Sequence, residues 1–258
     1  MTIDAKYDNK IHANLCAAIK SLSPENKFAF APFLSAEEHN LMREATIHKD
    51  IIKKFNSKFT NYLNDRDNGR IEKDASFDPE KQGVCGYKSG SACDDAIKTI
   101  NLMISIVKRL EDQLSECGSF TNIFPSPKFQ NNYGSDYHSS YHFHRDTSPD
   151  SHIRLSLALK GKGTVFTNDQ PHYNHNYSSD ENKKILGETP PISSGVVSTP
   201  ELHIAAFTIG GMPSDFAIKT ETNGGAIHSV PIYDQSEVDC SRIVLLPGFS
   251  PIDATTQE

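Results

Sequence analysis

Residues 153–159 read Ile-Arg-Leu-Ser-Leu-Ala-Leu, and their alternation is strict. In an extended chain Ile153, Leu155, Leu157 and Leu159 share one face, while Arg154 and Ser156 share the other. A helix would split the four aliphatic residues between opposite sides, so the period of two predicts a β-strand. One face of that strand packs in a core and the other lines something polar.

Around this stretch the chain changes texture. Before about residue 120 the periodicity is helical. Ile11, Leu15, Ala18 and Leu22 recur at helical spacing, and Ser23-Pro24 supplies a stop. Ser35 and Glu38 form a capping-box pattern ahead of Leu41, Ala45, Ile52, Phe55, Phe59 and Tyr62, with a break expected near Thr46. Residues 64–92 are polar and turn-rich, which predicts a connector or lid. The clearest helix follows, with Asp94 and Asp95 at its amino end and Ile97, Ile100, Ile104, Val107, Leu110 and Leu114 in one stripe as far as Gly118. Lys98, Lys108 and Arg109 mark it as a core-packing helix, too charged to span a membrane.

Beyond residue 120 come short β-like runs at 129–133, 141–146, 153–159, 164–166, 203–209, 215–220, 226–228 and 242–246, separated by turn residues. The polar stretch 168–191, which carries His172 and His175, reads as a lid or insertion. The expectation is an α+β protein, with a helical region 1–120 packed against a β core 121–258 in one integrated domain. A length of 258 residues is compatible with that.

Charge and cysteine usage narrow the function classes. A net charge of −7 and no Lys/Arg block argue against a sequence-independent grip on nucleic acid or on an anionic membrane. Residues 1–10 carry charges and no apolar h-region, and no transmembrane stretch follows, so a cytoplasmic protein is expected. The five cysteines are odd in number and lack Cys-x-x-Cys spacing, which predicts reduced thiols and no disulfide framework.

The chemistry concentrates in Tyr141-His142-Phe143-His144-Arg145-Asp146. On a strand, His144 and Asp146 project from one face, close enough to chelate one metal ion, and His228 can complete the site from a distant strand. Two imidazoles and one carboxylate leave coordination positions open, which is the ligand set of non-haem Fe(II) oxygenases. Structural alternatives stand beside each assignment. His144 and Asp146 can form a His–carboxylate pair, His228 can be a hydrogen-bonded residue beside a turn, and Arg242 can pair with Asp239 or Glu237. Tyr133 can be a core residue and Arg154 part of a sheet-surface ion pair.

These residues resemble the Fe(II)/2-oxoglutarate-dependent oxygenase superfamily, whose fold is a double-stranded β-helix (jelly-roll) flanked by helices. The likeness covers residues 129–249. Segment 129–133 looks like the first core strand, His144-Arg145-Asp146 matches the His-x-Asp motif, and Gly163-Thr164-Val165-Phe166 looks like the strand of prolyl-hydroxylase-like members whose motif is Gly-x-Thr-x-Phe, here one residue shorter. Ile227-His228-Ser229-Val230-Pro231 looks like the segment of the distal histidine, and Arg242 falls where the family places the basic residue for the cosubstrate's far carboxylate.

The resemblance implies Fe(II) on His144, Asp146 and His228, with 2-oxoglutarate and O2 as cosubstrates and succinate and CO2 as products. It implies cosubstrate contacts from Arg242, with Tyr133 and Arg154 as further candidates, and oxygenation of a small molecule or a peptidyl side chain. Asp146 argues for hydroxylation, since halogenating relatives carry a small residue there. His142 and His144 echo the cupin His-x-His, but no Glu follows, which favours the oxygenase triad. A cupin-like metalloenzyme that does not use 2-oxoglutarate, and a non-catalytic jelly-roll binding module, remain the alternatives. The first 120 residues and segment 168–191 match no subgroup, so the substrate is open.

Overall fold

The computed structural model describes residues 10–23, 25–72, 75–86, 90–117, 120–124, 127–131, 153–167, 196–209, 225–229, 241–246 and 248–251, with the backbone alone at 49, 91, 120–124, 127–131, 196, 241–242 and 248–251. Helices α1 (Leu15–Lys20), α2 (Ala36–Glu44), α3 (Lys49–Asp67) and α4 (Ser91–Glu116) precede most of the strands, and β1 (Phe28–Pro32) lies among them. After α4 come β2 (Phe120–Phe124), β3 (Pro127–Asn131), β4 (Ile153–Lys160), β5 (Val165–Thr167), β6 (Val196–Ser198), β7 (His203–Thr208), β8 (Ile227–Ser229), β9 (Ser241–Leu245) and β10 (Gly248–Pro251).

Local chemistry sets the helix ends. The Ser35 backbone N–H donates to the Glu38 carboxylate over 2.9 Å, and the Ser35 hydroxyl accepts from the Glu38 N–H over 3.1 Å, so the capping box forms as expected. The expected break falls between Glu44 and Lys49, where His48 caps α3 through its Nδ1. Glu38 has a second partner: the Arg109 guanidinium of α4 grips both of its carboxylate oxygens at 2.6 and 3.0 Å and also donates to the Phe33 carbonyl. Burial pushes the Glu38 carboxyl up, but the Arg109 bonds together with the Ser35 bonds outweigh it and hold the carboxyl below its ordinary value. Arg66 of α3 makes a second two-pronged pair with Glu111 of α4, at 2.8 and 3.1 Å.

Both sheets are antiparallel. The large one has seven strands and runs β1-β7-β4, and the far edge of β4 is shared by two strands laid end to end. β10 lies beside the start of β4, with Gly248 opposite Arg154, and β9 beside its end, with Leu245 opposite Leu157. β2 then pairs with β10 and β3 with β9, so β2/β3 and β9/β10 each act as one long interrupted strand. The small sheet has the order β6-β5-β8. Among the described residues the strands form these two sheets and no closed barrel.

The alternation at 153–159 forms the predicted strand, and its aliphatic face packs in a core as expected. Ile153, Leu155, Leu157 and Leu159 are buried in a core with Leu15 and Ala18 of α1, Met42 of α2, Phe55 and Phe59 of α3, and Ile100, Met103 and Leu110 of α4. The opposite face of the large sheet meets the small sheet through a second core. Phe28, Phe30, Ala205 and Phe207 of the large sheet pack there with Phe166 and Val197 of the small one. The order of layers is helices, large sheet, small sheet. Burying apolar faces on both sides of one sheet, one mainly aliphatic and one mainly aromatic, is what holds them together.

The expected α+β class with a helical first part stands. That part is not purely helical, because β1 pairs along its whole length with β7 and ties the first 120 residues into the sheet. The cysteines require a correction. Cys16 of α1 is bonded to Cys117 at the carboxyl end of α4, with Cα atoms 5.0 Å apart, and Cys85 is bonded to Cys93 in the first turn of α4, with Cα atoms 5.9 Å apart. Sequence spacing is blind to such a pairing, since the first bridge joins residues separated by 101 positions. Cys240 lies outside the described residues. No described helix is long and apolar enough to cross a membrane.

Candidate metal centre

His228 is the expected metal ligand that the described residues contain. It sits in the middle of β8, directly opposite Phe166 of β5 in the register, and is 7 % exposed. Its strand is tied to the large sheet at the entry point, where the Ala226 N–H donates to the Thr208 carbonyl over 2.8 Å. The imidazole therefore enters the space between the sheets rather than solvent. The Phe207 ring lies 4.8 Å from it, centroid to centroid, and the Phe166 ring 6.0 Å.

A hydrogen bond to the backbone bears on the ring's orientation. His228 Nδ1 is 3.2 Å from the Ala226 carbonyl oxygen. A carbonyl only accepts, so this bond requires the proton on Nδ1, which makes Nε2 the nitrogen that a metal-binding His228 would use. A metal-binding histidine is commonly fixed in this way, its second nitrogen donating to a backbone carbonyl. The donor set at this position thus fits a metal ligand, although a buried histidine with a backbone partner has the same form.

Arg154 is half-buried at the start of β4, opposite Phe207 in the register. It lies on the face of β4 that looks toward the small sheet, as Ser156 does. The Ser156 hydroxyl meets the Thr164 hydroxyl at 2.6 Å, and Thr199 Oγ1 donates to the Thr164 carbonyl at 2.7 Å. Those contacts leave no room beside the turn into β5. A Cβ on Gly163 would stand 2.7 Å from Thr199 Cβ and 2.9 Å from the Thr199 carbonyl oxygen. At the other rim, Lys10 donates to Asn26 Oδ1 and holds its ammonium 4.8 Å above the Phe28 ring; burial there pushes its pKa below the ordinary lysine value.

Arg242 is on β9 with its backbone opposite Gln130, and its neighbour Ile243 pairs with Lys160. Arg154 and Arg242 therefore sit near opposite ends of β4 in the register. His144, Asp146 and Tyr133 lie outside the described residues, as do His142, segment 215–220 and residues 168–191. Phe166 and Phe207 are the site neighbours that sequence reasoning missed as such. Phe166 was visible as the last residue of the Gly163-Thr164-Val165-Phe166 strand, but nothing in the sequence brings Phe207 to His228. No protein-family model and no curated protein matches the chain.

Proposed function

We propose that the chain is an Fe(II)- and 2-oxoglutarate-dependent oxygenase that hydroxylates a small molecule or a peptidyl side chain. The order of strand pairings carries this reading. A jelly-roll of eight strands is a long antiparallel hairpin rolled up, so the first strand pairs with the eighth, the second with the seventh, the third with the sixth and the fourth with the fifth. Take β2/β3 as the first strand, segment 141–146 as the second, β4 to β8 as the third to seventh, and β9/β10 as the eighth. The pairs β3·β9 and β2·β10, β4·β7 and β5·β6 then follow the rule. The contacts that rolling adds, third strand with eighth and fourth with seventh, correspond to β4·β9 and β5·β8. The remaining pair, second with seventh, would join 141–146 to β8. His144 and Asp146 would thereby reach the strand of His228.

His144, Asp146 and His228 are the residues that would hold Fe(II). Bound there, the metal and 2-oxoglutarate together supply the activation of dioxygen. His228 would coordinate through Nε2, with Nδ1 directed at the Ala226 carbonyl and the Phe166 and Phe207 rings beside the imidazole. Alternation along β9 assigns position 242 to the same face as Val244, which is opposite Ala158 and so belongs to the face that looks toward the small sheet. Arg242 binds the far carboxylate of 2-oxoglutarate from that position, since a guanidinium can make two parallel charge-assisted bonds to it. Arg154 and Tyr133 are further contacts to cosubstrate or substrate.

The test is turnover. Protein supplied with Fe(II), 2-oxoglutarate and dioxygen should form succinate slowly, and faster once a pool of small molecules or peptides contains the substrate, with oxygen from labelled dioxygen in the product. If no 2-oxoglutarate is consumed with any pool while Fe(II) is bound, the reading fails and the cupin-like alternative replaces it.

A further inference from the structure

We infer that this chain matures in an oxidising compartment, where two disulfides clamp both ends of α4 and so fix the helical layer on the large sheet. α4 is the longest of the described helices, at 26 residues, and apart from Asp94 in its first turn its ends lack the usual stabilising side chains. Its N-cap is Gly90, which offers no side-chain hydrogen bond, and its last turn holds no basic residue. The cysteines stand at these two places. Cys93 in the first turn is bonded to Cys85, and Cys117 at the C-cap is bonded to Cys16 in α1. Both Cα separations, 5.9 and 5.0 Å, lie within the range a disulfide spans without moving the backbone.

The clamp reaches beyond the helices. Leu15, Ala18 and Ile19 of α1 share a core with Ala29 and Ala31 of β1. The alternate residues of β1, Phe28 and Phe30, lie in the second core with Phe166, which faces His228. The position of α1 is therefore transmitted through β1 to the wall of the candidate site by packed side chains. Each bridge forms when two thiols lose two protons and two electrons to a disulfide oxidant, which becomes a dithiol; a dithiol reductant reverses the step. Such bonds persist where thiol reductants are scarce and are rare in the cytosol, so the pairing displaces the cytoplasmic expectation.

The test uses the full chain, refolded or expressed under oxidising conditions. Denaturation and alkylation without reductant, followed by mass spectrometry, should label one thiol, because four of the five cysteines are paired; after reduction all five should be labelled. Dithiothreitol should lower Tm by about 10 °C, with most of the loss reproduced by Cys16→Ser, because that bridge closes much the longer loop. Hydrogen exchange should rise in α1 and at the carboxyl end of α4 on reduction while β4 and β7 stay protected, a readout that remains if either serine variant folds poorly. Five labelled thiols in the unreduced chain, or a Tm indifferent to dithiothreitol, overturns the inference. Neither result depends on whether the protein binds Fe(II).

Discussion

Replacing Phe166 with alanine is the sharpest probe of how the two sheets are joined. Its side chain is fully buried, stacked 4.8 Å from Phe28 and edge-on to Phe207 at 5.2 Å and Phe30 at 5.9 Å, with His228 at 6.0 Å. Truncating a buried phenylalanine costs about 3–5 kcal/mol through lost transfer energy and the cavity left behind. Aromatic pairs add roughly 0.5–1.5 kcal/mol each beyond buried area, so Phe166→Ala belongs at the upper end, about 4–5 kcal/mol. For a chain of this size that is a fall in Tm of about 10–15 °C. Thermal unfolding followed by circular dichroism measures it, with denaturant unfolding as a check that the slope is unchanged. A loss under about 1 kcal/mol would mean that the small sheet is not held through this ring, and the placement of His228 between the sheets would fall with it.

Gly163→Ala should destabilise the protein by about 1–3 kcal/mol, because the added Cβ meets the Thr199 backbone and a β-branched carbon, neither of which can swing away; a Tm within 1–2 °C of wild type, about 0.5 kcal/mol, would show that the turn has room to spare. The Glu38–Arg109 pair sets part of the acid limit. Its folded carboxyl pKa lies below the unfolded value of 4.5, so its contribution is complete above that pH and is lost as pH falls through the folded value. Glu38→Gln should therefore flatten the acid side of the Tm–pH curve, and an unchanged curve would refute the linkage. On the proposed function, Arg242→Ala should weaken 2-oxoglutarate binding by about 2–5 kcal/mol while metal binding persists, since it would remove one partner of a desolvated charge pair; an unaltered cosubstrate affinity would move the role to Arg154.

Much of the fold was legible where one local signal outweighed the rest. The period of two at 153–159, the Ser35–Glu38 capping box and the apolar stripe of α4 each depend on neighbours within a few residues, and each formed as read. β1 was not legible because Phe28, Ala29, Phe30 and Ala31 are buried on both faces, so the run shows no polar alternation and stands between helical segments. β6 has three residues and β10 four, too short for a period to show, and they exist through pairing with distant strands. The disulfides escaped for the same reason, as contacts across the fold. At the site, His228 announced itself by following an Asn-Gly-Gly turn within a short apolar run, whereas its contact with Phe207 arises from packing of one sheet on the other.

The most direct test is Fe(II) binding by the purified chain and by His144→Ala, Asp146→Ala and His228→Ala, with iron measured per chain under anaerobic conditions and circular dichroism confirming that each variant is folded. The expected result is one Fe(II) per wild-type chain and loss of that iron in all three variants, because the proposed centre has two imidazoles and one carboxylate as its three ligands. Wild-type stoichiometry in all three folded variants would contradict the proposed metal centre and the oxygenase function built on it.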